Sequence, residues 1–204
     1  MPGARHVFRP GSIAEAVAAI SQDQAIPLAG ATWVMRAALR GEPLADAYVA
    51  LRGIRDLRQV EVRENEVSIG AAITHAELAA SLQRVRGCAG LAQAAAQAAN
   101  PAIRRVATVG GNLCSVAFAA SDLAPALVAA GAEVEIEDAH GAARQSVEAF
   151  LAARAALPPG WLLTRVFAPA RPGFRRTPAC RSARPATIQL RSSASRSSAR
   201  RTAA

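Results

Sequence analysis

The stretch that most constrains the fold lies near the N-terminus, between residues 26 and 51. Residues 26–29 form a short apolar run typical of a β-strand, and Gly30 follows it directly. A helical pattern over residues 33–39 ends at Gly41, and residues 48–51 have the composition of a second strand. A strand, a helical crossover and another strand in this order predict a βαβ unit with a small residue at its first turn.

Capping patterns and alternating runs predict the remaining elements. Ser12 with Glu15, and Thr74 with Glu77, have the spacing of capping boxes, so we expect helices to begin there. The polar residues 63–65 separate two apolar runs and predict a β-hairpin. Further helices are expected over residues 91–99, 122–130 and 147–156, and further strands over residues 56–62, 66–69, 133–137 and 162–167.

The formal net charge of +9 is confined to the C-terminal segment. Residues 1–170 contain 15 Arg and 15 acidic residues, whereas residues 171–204 contain nine Arg and no acid. This segment has almost no apolar periodicity, so we expect it to be disordered because it cannot bury enough surface to offset its ordering entropy. An Arg-rich nucleic-acid-binding protein is an alternative that rests on the tail alone, which lacks the interleaved aromatic residues of a stacking platform.

The sequence gives little support for a membrane span, a disulfide scaffold or a metal site. No apolar run reaches the roughly 20 residues of a membrane-spanning helix, and no apolar signal region follows the N-terminal Met, so a cytoplasmic protein is expected. The three cysteines are odd in number and far apart. The histidines are equally scattered, and each is expected to be a surface or capping residue: His6, His75 and His140.

The chain carries none of the common catalytic signatures. The phosphate-binding P-loop, the G-x-G-x-x-G turn, the G-x-S-x-G elbow and the H-E-x-x-H zinc motif are all missing from the sequence. The carboxylates form no obvious acid–base pair, so we assign no catalytic residue. If the chain is part of an enzyme, its reactive group is expected to be a bound cofactor.

Two turns have the residue types that hold a phosphate group. Residues 29–32 place small side chains between a strand and a helix, where helix-start N–H groups point at a ligand. In the second turn, residues 108–112, the paired Gly110 and Gly111 can form a nest of N–H groups, with Thr108 and Asn112 as side-chain donors. Either turn alone is more often structural, but two such turns suit the diphosphate of a dinucleotide.

Five segments, taken in order, resemble the FAD-binding subunit of molybdenum hydroxylases, the group of carbon monoxide dehydrogenase medium subunits and xanthine dehydrogenases. They are FRPGSIAEA at 8–16, PLAGAT at 27–32, IGAAITHAE at 69–77, I-R then TVGGNL within 103–113, and DLAPAL at 122–127. The resemblance covers about residues 6–170. It implies an α+β, two-subdomain FAD-binding fold of the PCMH type, with a small parallel βαβ unit over residues 1–55, a mixed or antiparallel sheet with helices over residues 56–170, and the tail over residues 171–204.

The resemblance also implies a role for each matching position. The first turn would wrap the diphosphate and adjoining ribose through Ala29, Gly30, Ala31, Thr32, Trp33 and Val34. The second turn would hold the phosphates from the other side through Thr108, Gly110, Gly111 and Asn112. Asp122 would bind the adenosine hydroxyls, and two residues would line the flavin pocket, Ile103 and Leu162.

The function implied is electron relay by non-covalently bound FAD, from iron–sulfur clusters to an acceptor, in an assembly with an iron–sulfur subunit and a molybdenum-cofactor subunit. The sequence departs from the family at Ala31, which replaces the second glycine of the A-G-G-T turn, and at Trp33, where an acidic or small polar residue is usual. The spacing from Asn112 to Asp122 is one residue longer than usual. The Arg-Ser-Ala tail resembles translation out of frame, so a truncated, non-functional remnant is a further alternative.

Overall fold

The predicted βαβ unit forms, and an earlier strand joins it. In this computed structural model, which describes residues 5–116, 118 and 121–170, strands β1 (His6–Phe8), β2 (Ile26–Leu28) and β3 (Ala47–Ala50) form a parallel sheet in the order β1-β3-β2. Helix α1 (Ile13–Asp23) connects β1 to β2 and buries Ala16, Val17 and Ile20 in the core that contains Val49 of β3. The prediction for the tail lies outside the described residues.

The crossover from β2 to β3 is a 3-10 helix, Val34–Arg40, rather than the predicted α-helix. It ends where predicted, because Gly41 adopts a left-handed conformation with φ of 73° and donates its N–H to the carbonyls of Ala37 and Ala38. The short, tight crossover keeps the turn after β2 close to the sheet.

The second sheet is antiparallel and has its last strand at its centre. Its strands are β4 (Val60–Val62), β5 (Glu66–Gly70), β6 (Glu133–Asp138), β7 (Gly141–Ser146) and β8 (Leu162–Pro169), in the order β4-β5-β8-β6-β7. The predicted hairpin is β4 with β5. The strand expected from residue 56 was wrong at its start, since Arg55–Arg58 is a 3-10 helix. The largely exposed β7 has no alternating apolar pattern and was not predicted.

Six helices accompany this sheet among the described residues: α2 (His75–Leu82), α3 (Ala89–Gln97), α4 (Pro101–Arg104), α5 (Val109–Cys114), α6 (Leu123–Ala130) and α7 (Val147–Ala153). The capping box at Thr74 is complete. The Thr74 side chain accepts the Glu77 N–H, and the Glu77 carboxylate accepts the Thr74 N–H at 2.8 Å. At α1 only half of the predicted box forms. Ser12 accepts the Glu15 N–H, but the Glu15 carboxylate accepts from Gly11 instead, at 2.7 Å.

Two hydrophobic clusters form the core. The larger one lies under the second sheet and includes Leu78, Leu113 and Phe150. The smaller one lies under the first sheet, but Leu57, from the segment before β4, and Leu162, from β8, also belong to it. The α+β class is therefore confirmed. Among the described residues, no helix is long and apolar enough to cross a membrane.

Candidate functional site

One cavity of about 720 Å³ brings the two predicted turns together. This volume lies in the usual range of small-molecule sites, about 300–1,000 Å³. All thirteen residues predicted for the site border it: Ala29, Gly30, Ala31, Thr32, Trp33, Val34, Ile103, Thr108, Gly110, Gly111, Asn112, Asp122 and Leu162. Residues separated by more than 130 positions in the chain thus share one site.

The first turn borders this cavity and contains a row of backbone amides without an acceptor among the described residues. Ala31, three residues after the end of β2, has a left-handed backbone with φ of 60°. The N–H groups of residues 30–34 donate to no acceptor in the described part of the chain. Successive amides around a left-handed residue form a concave anion site, so this turn has the donors that a diphosphate requires.

Gly30 sets the distance between the two turns. A Cβ at this position would lie 2.1 Å from the Val106 carbonyl oxygen and 2.9 Å from the Ala107 Cα. Only a glycine permits this contact, because backbone atoms cannot move aside as a flexible side chain does. The first turn is therefore packed directly on the backbone that leads into Thr108.

The second turn is the start of helix α5 and not the glycine nest that the sequence suggested. The Val109 N–H donates to Ile73 O at 2.9 Å, and the Gly110 N–H donates to Ala71 O at 2.8 Å. Thr108 caps the helix by accepting the Gly111 N–H at 3.2 Å. These amides are already paired, so a ligand would meet side chains and the bare surface of Gly111 here.

Gly111 keeps the cavity open at this point. It is exposed, and a Cβ added to it would approach only the Thr108 hydroxyl oxygen, at 3.0 Å. Its φ is not in the left-handed region, so the backbone conformation alone does not require glycine. The space that a side chain would fill belongs to the cavity.

Asn112 and Asp122 supply the polar side chains on this wall. Ser121 donates to the Asn112 carbonyl oxygen Oδ1 at 2.6 Å, which fixes the side-chain amide. Asp122 precedes α6 without capping it by a side-chain hydrogen bond, and it is exposed. Its carboxylate is available to accept hydrogen bonds from ligand hydroxyl groups.

Trp33 is held in place at the cavity wall. The Arg40 guanidinium lies over the Trp33 ring, 4.1 Å from the ring centroid. It also donates a hydrogen bond to the Trp33 backbone carbonyl oxygen at 3.0 Å. The Phe118 ring packs against it at 5.1 Å between centroids. The unusual residue at this position is thus part of an ordered aromatic cluster that joins the first turn to the segment after the second.

The wall residues that sequence reasoning missed include two with side chains that can carry a charge, Arg36 and His75. Arg36 is the only Arg among the described residues that border the cavity. The sequence around it, in the crossover between β2 and β3, matches no recognisable motif. His75 was expected at the surface or in a cap, but only 3% of it is exposed and it follows the cap residue Thr74. Burial lowers the pKa of His75, and the Asp122 carboxylate opposes this shift.

The fold and the site define a class of protein. Residues 3–171 match the family described as the FAD binding domain in molybdopterin dehydrogenase, and the chain belongs to this family. Its cofactor is FAD. The chain is 31% identical over 135 residues to the xanthine dehydrogenase FAD-binding subunit of Escherichia coli O157:H7, and 27% identical over 146 residues to the nicotinate dehydrogenase FAD-subunit of Eubacterium barkeri.

These matches cover 65% and 70% of this chain but 46% and 49% of the two relatives, so the chain spans about half their length. Among solved structures, a chain of the reconstituted CO dehydrogenase from Oligotropha carboxidovorans is 29% identical and superposes with a TM-score of 0.75. A chain of a cyanide-inactivated Cu,Mo-CO dehydrogenase is 28% identical with a TM-score of 0.76. Each match covers 84% of this chain and 61% of the other.

Proposed function

We propose that this chain binds FAD non-covalently in the 720 Å³ cavity, as the flavin component of a molybdenum-hydroxylase-type dehydrogenase. The observation that carries this proposal is the row of amides without acceptors at residues 30–34, in a turn that borders the same cavity as Gly111 and Asp122. A diphosphate has the charge and the acceptor atoms for that row. We keep the division into subdomains at residues 1–55 and 56–170 as part of this proposal.

The polar side of the cavity would bind the diphosphate and the adenosine. The first turn, Ala29 to Val34, would wrap the phosphates, and Arg36 would add a positive charge beside them. Thr108 and Asn112 would contact the phosphates from α5, while Gly110 and Gly111 leave room for them. The Asp122 carboxylate would accept hydrogen bonds from the ribose hydroxyls. These assignments use every charged side chain that borders the cavity within the described residues.

The apolar side would receive the flavin ring. Ile103 and Leu162 border it, together with Trp161, whose ring is fixed edge-on against the buried Phe150 with centroids 5.6 Å apart. These side chains would exclude water from the ring and fix its plane. When bound, FAD supplies the electron-transfer chemistry, and the protein orients it.

We further propose that the chain acts in the cytoplasm and associates with an iron–sulfur subunit and a molybdenum-cofactor subunit. The relatives are named as FAD-binding subunits, which supports a role inside a larger assembly. In such an assembly the chain would relay electrons from the iron–sulfur clusters to an acceptor. The match covers 61% of the CO dehydrogenase chain. The contacts with the partner subunits therefore need not all lie within the described residues.

The cofactor proposal is tested by titrating the purified 204-residue chain with FAD and with riboflavin, using flavin fluorescence. We expect saturable binding of FAD and weaker binding of riboflavin, which lacks the diphosphate. Arg36→Gln should weaken FAD binding and reduce its dependence on salt, while riboflavin binding stays unchanged. Arg63→Gln is the matched control, since Arg63 does not border the cavity and its guanidinium pairs with the Glu61 carboxylate of the β4–β5 hairpin. Failure of the parent chain to bind FAD would refute the proposal.

The partner proposal needs a separate experiment. The chain would be co-expressed with candidate iron–sulfur and molybdenum-cofactor subunits from the same organism, and the products separated by size-exclusion chromatography. Co-elution of the three chains is the expected result. Elution of this chain alone, still carrying FAD, would refute the partners and leave the cofactor assignment intact.

A further inference from the structure

The imidazole of His75 stands out as a buried polar group without a partner. Both ring nitrogens are buried, and neither makes a hydrogen bond with any described residue. No other side chain in the described part of the protein is buried and unsatisfied in this way. Because both nitrogens are buried without a well-formed hydrogen bond, the folded chain carries a desolvation cost for them.

The position of His75 connects it to the site. It is the first residue of α2, its N–H donates to the Ala107 carbonyl at 3.0 Å, and it borders the cavity. Its neighbour Thr74 forms an isolated antiparallel bridge with Thr108, the residue that caps α5. The imidazole therefore lies between the starts of two helices, at the wall where the proposed diphosphate and ribose would bind.

Charged groups face His75 from two other elements. Asp122, at the start of α6, favours the protonated ring, and Arg104, at the end of α4, disfavours it. Both act at a distance, and neither is hydrogen-bonded to the ring. The Thr108 backbone also favours the protonated ring, but neither ring nitrogen makes a hydrogen bond of good geometry with it or with any other described residue.

We propose that His75 is a binding residue for FAD, donating a hydrogen bond from its ring to an oxygen of the diphosphate–ribose portion of the cofactor. The inference rests on the proposed function. Both ring nitrogens are buried although the residue borders the cavity. A half-turn about the Cβ–Cγ bond, which separates two similar rotamers, exchanges ring carbons with ring nitrogens and presents a donor to the ligand.

This role has a signature that a structural role lacks. His75→Phe replaces the unsatisfied ring with an apolar one of similar shape, so the chain without cofactor should become more resistant to urea. The same change should weaken FAD binding by about tenfold, because one hydrogen bond to a charged group is lost. A variant that gains stability and loses cofactor affinity together is the expected result, measured by urea midpoint and by FAD titration.

Three further variants complete the test. His75→Gln keeps a side-chain N–H donor within reach, in its amide group, and should retain most of the FAD affinity. His140→Gln changes an exposed histidine in the β6–β7 turn and should alter neither property. His75→Leu gives the same readout if the Phe variant does not fold.

The outcomes separate this inference from the function on which it rests. FAD binding by the parent chain with unchanged affinity in His75→Phe would overturn the role of His75 alone. A loss of stability in both apolar variants would show that the nitrogens are satisfied in the folded chain, and would also overturn it. Absence of FAD binding by the parent chain would instead refute the proposed function.

Discussion

At the scale of single residues, Ala31 shows that the first turn tolerates a side chain at the position of the family's second glycine. Its φ of 60° places it in the left-handed region, which costs an L-residue about 1–2 kcal/mol. Its Cβ borders the cavity without closing it, since the amides of residues 30–34 keep their place on the wall. Ala31 is not the glycine of the family's A-G-G-T turn, but its backbone adopts the left-handed conformation that favours glycine.

Ala31→Gly should therefore stabilise the chain by about 0.5–1 kcal/mol, the difference between the relieved strain and the extra entropy of glycine. The urea midpoint should rise at constant slope, and FAD affinity should be unchanged or higher. Ala31→Val should do the opposite, because a β-branched residue is disfavoured at positive φ. A lower midpoint for the glycine variant would contradict the left-handed conformation described here.

At the scale of elements, two glycines in the two turns have different functions. Gly30 permits contact between two backbones, whereas Gly111 keeps space for a ligand. Gly30→Ala should destabilise the fold by about 3 kcal/mol, as overpacking against backbone does. Gly111→Ala should change the free energy of unfolding by less than about 1 kcal/mol but should weaken FAD binding at least tenfold.

Gly90→Ala is the matched control for this pair. Gly90 lies in α3, where nothing is within 4 Å of an added Cβ, so the change should raise the urea midpoint and leave FAD binding unaltered. Circular dichroism with urea and flavin titration measure both quantities. Equal losses of stability in the Gly30 and Gly111 variants would contradict the distinction.

Much of the fold and of the site was predictable, and the errors have physical causes. The strands with alternating or continuous apolar runs were predicted from the sequence, as was the β4–β5 hairpin. Helix α5 was missed because Gly110 and Gly111 disfavour helices locally, and the helix is imposed by bonds from Val109 and Gly110 to distant carbonyls. The burial of His75 was missed because a lone histidine gives no sign of which residues will cover it.

At the scale of the whole molecule, acid should destabilise the chain in two steps. Burial lowers the pKa of His75, so the unfolded state binds a proton near pH 6.5 and the folded state does so only at lower pH. Stability is then full above about pH 6.5 and falls below it. Hydrogen bonds from Thr74 and Arg58 overcome desolvation and lower the pKa of Glu77, so a second loss follows as the pH falls below about 4.5.

Urea unfolding without cofactor, repeated from pH 8 to pH 3, measures this profile. His75→Phe should remove the fall that begins near pH 6.5 and leave the lower step. Glu77→Gln should remove part of the lower step and leave the upper one. A parent profile that is flat between pH 7 and pH 5 would contradict the burial of a neutral His75.

The central place of β8 in the second sheet has a consequence for synthesis on the ribosome. The hairpins β4–β5 and β6–β7 form from local contacts, but β5 and β6 each pair with β8 and not with one another. Until residues 162–169 have left the exit tunnel, both strands keep an unpaired edge. Ribosomes that pause shortly before this point would hold a nascent chain with two open sheet edges, so this is the stage at which a chaperone has most to protect.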